Sequence, residues 1–317
     1  MEIVHTSVLL QECLTLLAPE NPVSLMVDGT LGEGGHTEAF LEKFPDLRII
    51  GVDADVRIQA RARERLSPFG DRVVFYSGWS DAFFSEYPAD EKRPDIILLD
   101  LGISLFHYEK SGRGFSFRSD EPLDMRLDPN SGESAADIVN TMGETALADL
   151  IYQFGEEQYS RRIAKAIVES RKTSKFATAR ALADCIYGAV PGNYRHGRIH
   201  PATKTFQALR IAVNNELSRL PGLLDLAFGV LAPTGKLGVI TFHSLEDRIV
   251  KNHFRNLAKA CTCPPEVPIC RCGGRAKAEL LTRKAIGPTD EEIARNSPSR
   301  SARLRVVRKI AYGDVSV

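Results

Sequence analysis

Sulfur and indole are scarce in this chain: its 317 residues hold six cysteines, four methionines and one tryptophan. Six cysteines at this length are too sparse for a disulfide framework, so a reducing, cytoplasmic setting is the expectation. No apolar run reaches the ~18–20 residues that a membrane-spanning helix needs. The start, Met1-Glu2-Ile3-Val4-His5-Thr6, has no basic stretch leading into an apolar one, so no secretory signal is expected. Hydrophobic residues at 43% and charged residues at 26% are ordinary globular values, which excludes disordered, collagen-like and coiled-coil chains. A chain this long buries about 75% of its unfolded surface, enough for a core without staples.

Net charge is also absent, with 41 basic and 41 acidic residues, yet the charges are unevenly placed. Residues 1–160 hold 13 Lys and Arg against 29 Asp and Glu, residues 161–219 hold 12 against 3, and residues 251–310 hold 14 against 5. Two basic segments in a neutral chain suggest that one side of the molecule meets a polyanion.

The first hundred residues alternate strand and helix patterns. Residues 23–28, 48–53, 72–76 and 95–100 are short apolar runs, and 37–44 and 56–66 between them read as helical. Continuous apolar strands separated by helices predict a parallel sheet covered on both faces, with ligands beyond the C-terminal strand ends. Residues 104–134 read as a long structured loop, and from Ala135 to about Leu231 only helical periodicity is found, broken at Pro191-Gly192-Asn193. A strand returns at 236–242, followed by a helix from Leu245 to about Leu257 and another apolar stretch at 303–308. The expected architecture is an α/β domain of residues 1–108 and 216–317, interrupted by a mainly helical insertion at 109–215.

Several motifs sit where chemistry belongs in such a fold. Asp28-Gly29-Thr30-Leu31-Gly32-Glu33-Gly34-Gly35-His36-Thr37 joins the first strand to the first helix, with glycines that let a ligand approach the backbone. Asp53 ends the second strand, where an acid accepts hydrogen bonds from ribose hydroxyls. Asp100, in Asp100-Leu101-Gly102-Ile103-Ser104, puts a carboxylate at the mouth of the sheet. Arg113, Phe115 and Phe117, with Arg126 close behind, suit base stacking and phosphate contact, or an ordered lid. In the stretch from His200 to Glu216, Phe206, Leu209 and Val213 have core spacing, which leaves Lys204 and Arg210 for phosphates; His200 reads as a polar contact at a helix start. His243 lies at another strand end, within reach of substrate or as a buried, hydrogen-bonded imidazole. Cys261, Cys263, Cys270 and Cys272 form two C-x-C pairs, tighter than usual zinc spacing, and no metal is assigned to them.

Taken together, these blocks, with Pro122-Leu123-Asp124-Met125-Arg126 and Ser244-Leu245-Glu246-Asp247-Arg248, resemble the bacterial 16S ribosomal RNA (cytosine-N4)-methyltransferases, the MraW/RsmH family. The resemblance spans nearly the whole chain, from His5 to Arg305. It implies a class I S-adenosylmethionine-dependent methyltransferase, a Rossmann-like doubly wound sheet with an inserted helical RNA-substrate domain. It implies methyl transfer to the exocyclic N4 of a cytosine in the decoding region of the small ribosomal subunit. By motif, cofactor contacts fall on Gly34, Gly35, His36, Asp53, Trp79, Asp100 and His107. Members usually carry Phe at the place of Trp79, and Ser-Pro-Gln where this chain has Leu105-Phe106-His107.

Cytosine N4 is a poor nucleophile because its lone pair is conjugated into the ring, so an acceptor for the N4 protons is needed, and Asp100, or a backbone carbonyl just after it, is the catalytic candidate. Transfer to C5 would require a Cys to attack C6, and none lies between Cys13 and Cys185. A nicotinamide dehydrogenase would carry G-x-G-x-x-G, which is missing. A non-catalytic RNA-binding assembly factor would leave the glycine loop and Asp53 without a purpose. The oligomeric state, a homodimer included, is not legible in the sequence.

Overall fold

The computed structural model describes residues 7–312, apart from positions 22, 131, 198, 262, 264–266, 268, 270, 272 and 273. Cys270 and Cys272 therefore lie outside the described residues. By its contacts the chain divides into two compact units, one formed by the residues before 103 and after 218, the other by Ile103–Ser218.

The first unit is built on seven strands: β1 (Leu25–Asp28), β2 (Arg48–Asp53), β3 (Val73–Ser77), β4 (Ile96–Asp100), β5 (Lys236–Thr241), β6 (Ala278–Leu280) and β7 (Arg303–Lys309). They pair in the order β3-β2-β1-β4-β5-β7-β6. The first five are parallel. The apolar runs are continuous because successive side chains feed two different cores. Met26, Ile96, Leu98 and Ile240 enter one with Phe40, Leu41 and Leu66, whereas Val27, Ile97, Leu99 and Val239 enter the other with Leu224, Val250 and Phe254. The helices Val56–Leu66 and Ser244–Leu257 present buried residues at four-residue steps, Ile58, Ala62 and Leu66 on one and Glu246, Val250 and Phe254 on the other. Strand order reverses between β1 and β4, which creates a crevice at their C-terminal ends.

β7 departs from the all-parallel expectation. It runs antiparallel to both β5 and β6 and lies between them. The three-residue β6 and the short helices Leu10–Leu16, Ser80–Ser85 and Asp290–Arg295 are too brief to show a period in sequence.

The second unit is helical around its own core, with Leu147, Ile151, Ile163, Ile167, Leu182, Ile186, Phe206 and Leu209 buried together. The helix Glu144–Gly155 meets the helix Ala202–Asn214 at Gly155, where an added Cβ would lie 2.5 Å from the Lys204 carbonyl oxygen. The segment 104–134, expected to be a loop, contains a helix, Leu105–Glu109, and an isolated bridge from Pro122 to Thr178.

Candidate active site

The motif residues of the first unit converge on the strand tips through a continuous set of hydrogen bonds. At β1, the buried Asp28 accepts from Thr37 Oγ1 at 2.7 Å and from the Thr30 amide at 3.3 Å. Burial pushes its carboxyl above the ordinary range, the Asp100 charge adds to this, and His36, Thr37 and Thr30 oppose it. The glycine loop is laid across the sheet by two backbone bonds, Gly29 N to Leu98 O and Leu31 N to Val52 O, each 2.9 Å. Gly34 caps the helix Gly35–Lys43 in the left-handed region at φ 80°, and at Gly35 a Cβ would lie 2.3 Å from Ser7 Oγ. Both positions demand glycine on backbone and packing grounds.

Asp53 is held at the β2 tip. Its Oδ2 accepts from the Gly32 amide and its Oδ1 from the Asp55 amide, each at 2.8 Å. The Asp53 carbonyl in turn accepts from Gly78 N at 2.9 Å, which brings the turn bearing Trp79 beside it. Ser80 Oγ donates to the Gly29 carbonyl and ties that turn to the glycine loop. The Arg219 guanidinium lies over the Trp79 ring, 4.0 Å from its centre. Arg219 also makes a two-pronged bond to Asp81, Nε to Oδ2 at 2.9 Å and Nη2 to Oδ1. Burial acts upward on the Asp81 carboxyl, but the bonds and charge of Arg219 outweigh it and hold the group below its ordinary range.

At the β4 tip, the Asp100 amide donates to Thr30 Oγ1 at 2.6 Å, and Asp100 Oδ2 lies 3.6 Å from His36 Nε2. Asp100 Oδ1 and both His36 ring nitrogens are buried without a hydrogen-bond partner. Such groups are costly unless a ligand or water completes them. Gly34, Gly35, His36, Asp53, Trp79 and Asp100 thus share one connected rim. His243, at the β5 tip, instead closes a helix end. Its Nδ1 accepts from the Glu246 amide at 3.4 Å, and Glu246 Oε2 accepts from the Phe242 and His243 amides at 2.9 and 3.3 Å.

The other sequence candidates belong to the second unit. His107 is buried, with Nδ1 3.1 Å from Ser104 Oγ and its ring edge-on to Phe115. Arg113 is an internal brace, donating through Nη1 to the Arg126 and Leu127 carbonyls at 2.8 Å each. Phe115 is a core residue and is not exposed for base stacking, whereas Phe117 is partly buried and stacks on the His200 ring at 4.6 Å. His200 is exposed, and its Nδ1 accepts from the Ala202 amide at 3.2 Å. Arg126 is fixed on Asp124 by bonds of 2.9 and 2.7 Å. Helical spacing leaves Arg210 for phosphates, but this residue is buried and two-pronged on Glu216 at 2.9 and 2.8 Å. Periodicity places a residue on a face, but it does not reveal an acid six positions on that turns back to pair with it. Lys204 Nζ donates to the Glu156 carbonyl at 3.0 Å. Cations outside the motifs, Arg162, Lys165, Lys172, Lys175 and Arg180, are exposed on this unit; their signal in the sequence is charge density.

The profile of the MraW methylase family matches residues 2–310. The chain belongs to this family. It is 68% identical over 312 residues to the ribosomal RNA small subunit methyltransferase H of Treponema denticola, covering 98% of this chain and 99% of that protein. Proteins of the same name from Treponema pallidum and Borrelia turicatae are 47% and 48% identical, covering 96% and 97% of this chain and 92% and 98% of theirs. In this MraW methylase the family motifs thus do two kinds of work. Those of the first unit form the polar rim at the strand tips, and those of the second, Arg-Gly-Phe-Ser-Phe and Pro-Leu-Asp-Met-Arg, brace an irregular segment against the helix Ala202–Asn214. Asn214 completes the brace, accepting from the Leu127 amide and donating to the Met125 carbonyl, each at 2.8 Å.

Proposed function

We propose that this protein transfers a methyl group from S-adenosylmethionine to the exocyclic N4 of a cytosine in the decoding region of small-subunit ribosomal RNA. Family membership supports methyl transfer, and the names of its relatives support the ribosomal RNA substrate. The observation that carries the site is the buried, unpartnered Asp100 Oδ1 beside His36 at the switch point of the sheet.

The rim fits the cofactor. Asp53, fixed by two amides, supplies a carboxylate for ribose hydroxyls, Trp79 supplies a flat apolar surface for adenine, and the Gly34-Gly35-His36 turn supplies a helix N-terminus for a carboxylate. When bound, S-adenosylmethionine supplies a methyl group made electrophilic by the sulfonium. The protein's contribution is placement, since in-line positioning supplies ~7–11 kcal/mol of barrier reduction. Asp100 is suited to accept an N4–H hydrogen bond, which turns the nitrogen lone pair out of conjugation and offsets the positive charge that develops there. His36 Nε2 lies 3.6 Å from Asp100 Oδ2 without a hydrogen bond between them. Unstacking the target base costs a few kcal/mol, and phosphate contacts from the exposed cations of the second unit offset it. These exposed cations support reading the second unit as the RNA-substrate domain, and a ribosomal RNA substrate is consistent with a reaction in the cytoplasm.

The test is incubation of the protein with labelled S-adenosylmethionine and small subunits from cells lacking it, followed by nucleoside analysis. N4-methylcytidine is the expected product; 5-methylcytidine or no transfer overturns the reading.

A further inference from the structure

We propose that Arg219 is a positioning residue for the cofactor, acting through Trp79. The proposal rests on the reading of Trp79 as the adenine surface. Three observations carry it. The guanidinium lies 4.0 Å from the ring centre, within direct contact of one indole face. Asp81 grips the same guanidinium at two points, which fixes its plane as well as its position. The turn carrying Trp79 is anchored at both sides, Gly78 N to the Asp53 carbonyl and Ser80 Oγ to the Gly29 carbonyl. The backbone of Trp79 is thus fixed by the two loops that flank the site, and its ring is fixed by Arg219.

A cation prefers the face of Trp over that of Phe or Tyr. The indole is thus matched by a cation laid on it. With one face covered, the indole offers the opposite face to a flat partner. Asp81 has a second effect. An unpaired arginine beside a site for a cationic sulfonium would repel it, whereas the Asp81–Arg219 pair is neutral in sum. The pair therefore stiffens the platform at little electrostatic cost to binding.

Trp79 is the only tryptophan in the chain, so its emission reads the platform without labelling. Titration of the wild-type protein with S-adenosylmethionine is expected to change that emission saturably. In Arg219→Ala, binding weakens about two- to thirtyfold, the span of a cation–π contact from exposed to desolvated settings. The loss appears in KM rather than kcat, and time-resolved anisotropy shows a freer indole. Arg219→Lys, which keeps a cation but not the fork, recovers part of the affinity; Arg219→Gln recovers none. In a Trp79→Ala background, followed by calorimetry, Arg219→Ala adds no further loss. Unchanged affinity and anisotropy in Arg219→Ala, or an equal loss in the Trp79→Ala background, overturns the positioning role and leaves the methyltransferase reading intact. A wild-type protein that does not bind S-adenosylmethionine overturns both.

Discussion

Asp100 and Asp53 are both strand-end carboxylates, yet their surroundings differ in a way that suits the different roles proposed for them. Asp53 spends both oxygens on backbone amides, so it is a rigid fixture. Asp100 keeps a buried oxygen without a partner, which is what an acceptor waiting for a substrate proton requires. Replacing Asp53 by Ala is expected to weaken S-adenosylmethionine binding by ~1–3 kcal/mol, because charged hydrogen bonds to the ribose disappear, and calorimetry that finds the affinity unchanged removes its ribose role. Asp100→Ala is expected to retain the circular dichroism of the wild type while single-turnover methylation at saturating cofactor slows by about a hundredfold or more. Full turnover in that variant removes the acceptor assignment. His253 makes a third residue-scale case. Burial lowers its imidazole below the ordinary value and the Asp225 charge only partly opposes this. Its folded form binds a proton less readily than the unfolded chain, so stability is full above ~6.5 and falls as pH drops through the lowered value. Urea unfolding of wild type and His253→Gln at pH 7 and 5 checks this, with the variant losing less on acidification.

Elements are legible where their side chains repeat. The runs at 48–53 and 96–100 form β2 and β4 because their apolar side chains, Ile49, Ile50, Val52, Ile96, Ile97, Leu98 and Leu99, are committed to one of two cores, and Phe206 and Leu209 enter the helical core that their spacing implies. What stays hidden is set by contacts distant in sequence. Nothing in Arg303–Lys309 states that it pairs antiparallel with β5, and nothing in Phe115 distinguishes a core ring from a stacking ring until the fold buries it in one cluster with Leu123, Met125 and Ile138. Arg113 and Arg210 read as phosphate ligands because a lone basic residue is counted as available, and only the fold supplies the carbonyls and the carboxylate that engage them. The glycine loop is recognisable, but the reason for Gly35, a neighbouring Ser7 Oγ, is not. Gly155 yields an element-scale prediction. The helices Glu144–Gly155 and Ala202–Asn214 approach there too closely for a Cβ, so Gly155→Val is expected to destabilise the second unit by about 1–3 kcal/mol, read as a lowered urea midpoint while S-adenosylmethionine binding by the first unit persists.

At the scale of the whole molecule, zero net charge conceals a division of labour. The residues of the second unit that carry exposed cations, among them Lys172, Lys175 and Arg180, lie outside the unit that carries the strand-tip rim. Their replacement is expected to weaken binding of small-subunit RNA and to flatten its salt dependence by ~0.7–0.9 in logarithmic slope for each phosphate no longer neutralised. Filter binding across a salt series checks this, and an unchanged slope in Lys172→Ala/Lys175→Ala/Arg180→Ala removes these residues from the RNA surface. The strand order has a further consequence for how the molecule comes to exist. β4 pairs with β5 across the entire inserted unit, and β7, which follows both β5 and β6 in the chain, must slot between them. A nascent chain therefore holds a finished helical insertion while its sheet still lacks a slat, and a stalled or clipped product that ends before Arg303 would leave the β5 rim bare and prone to pairing with a stranger.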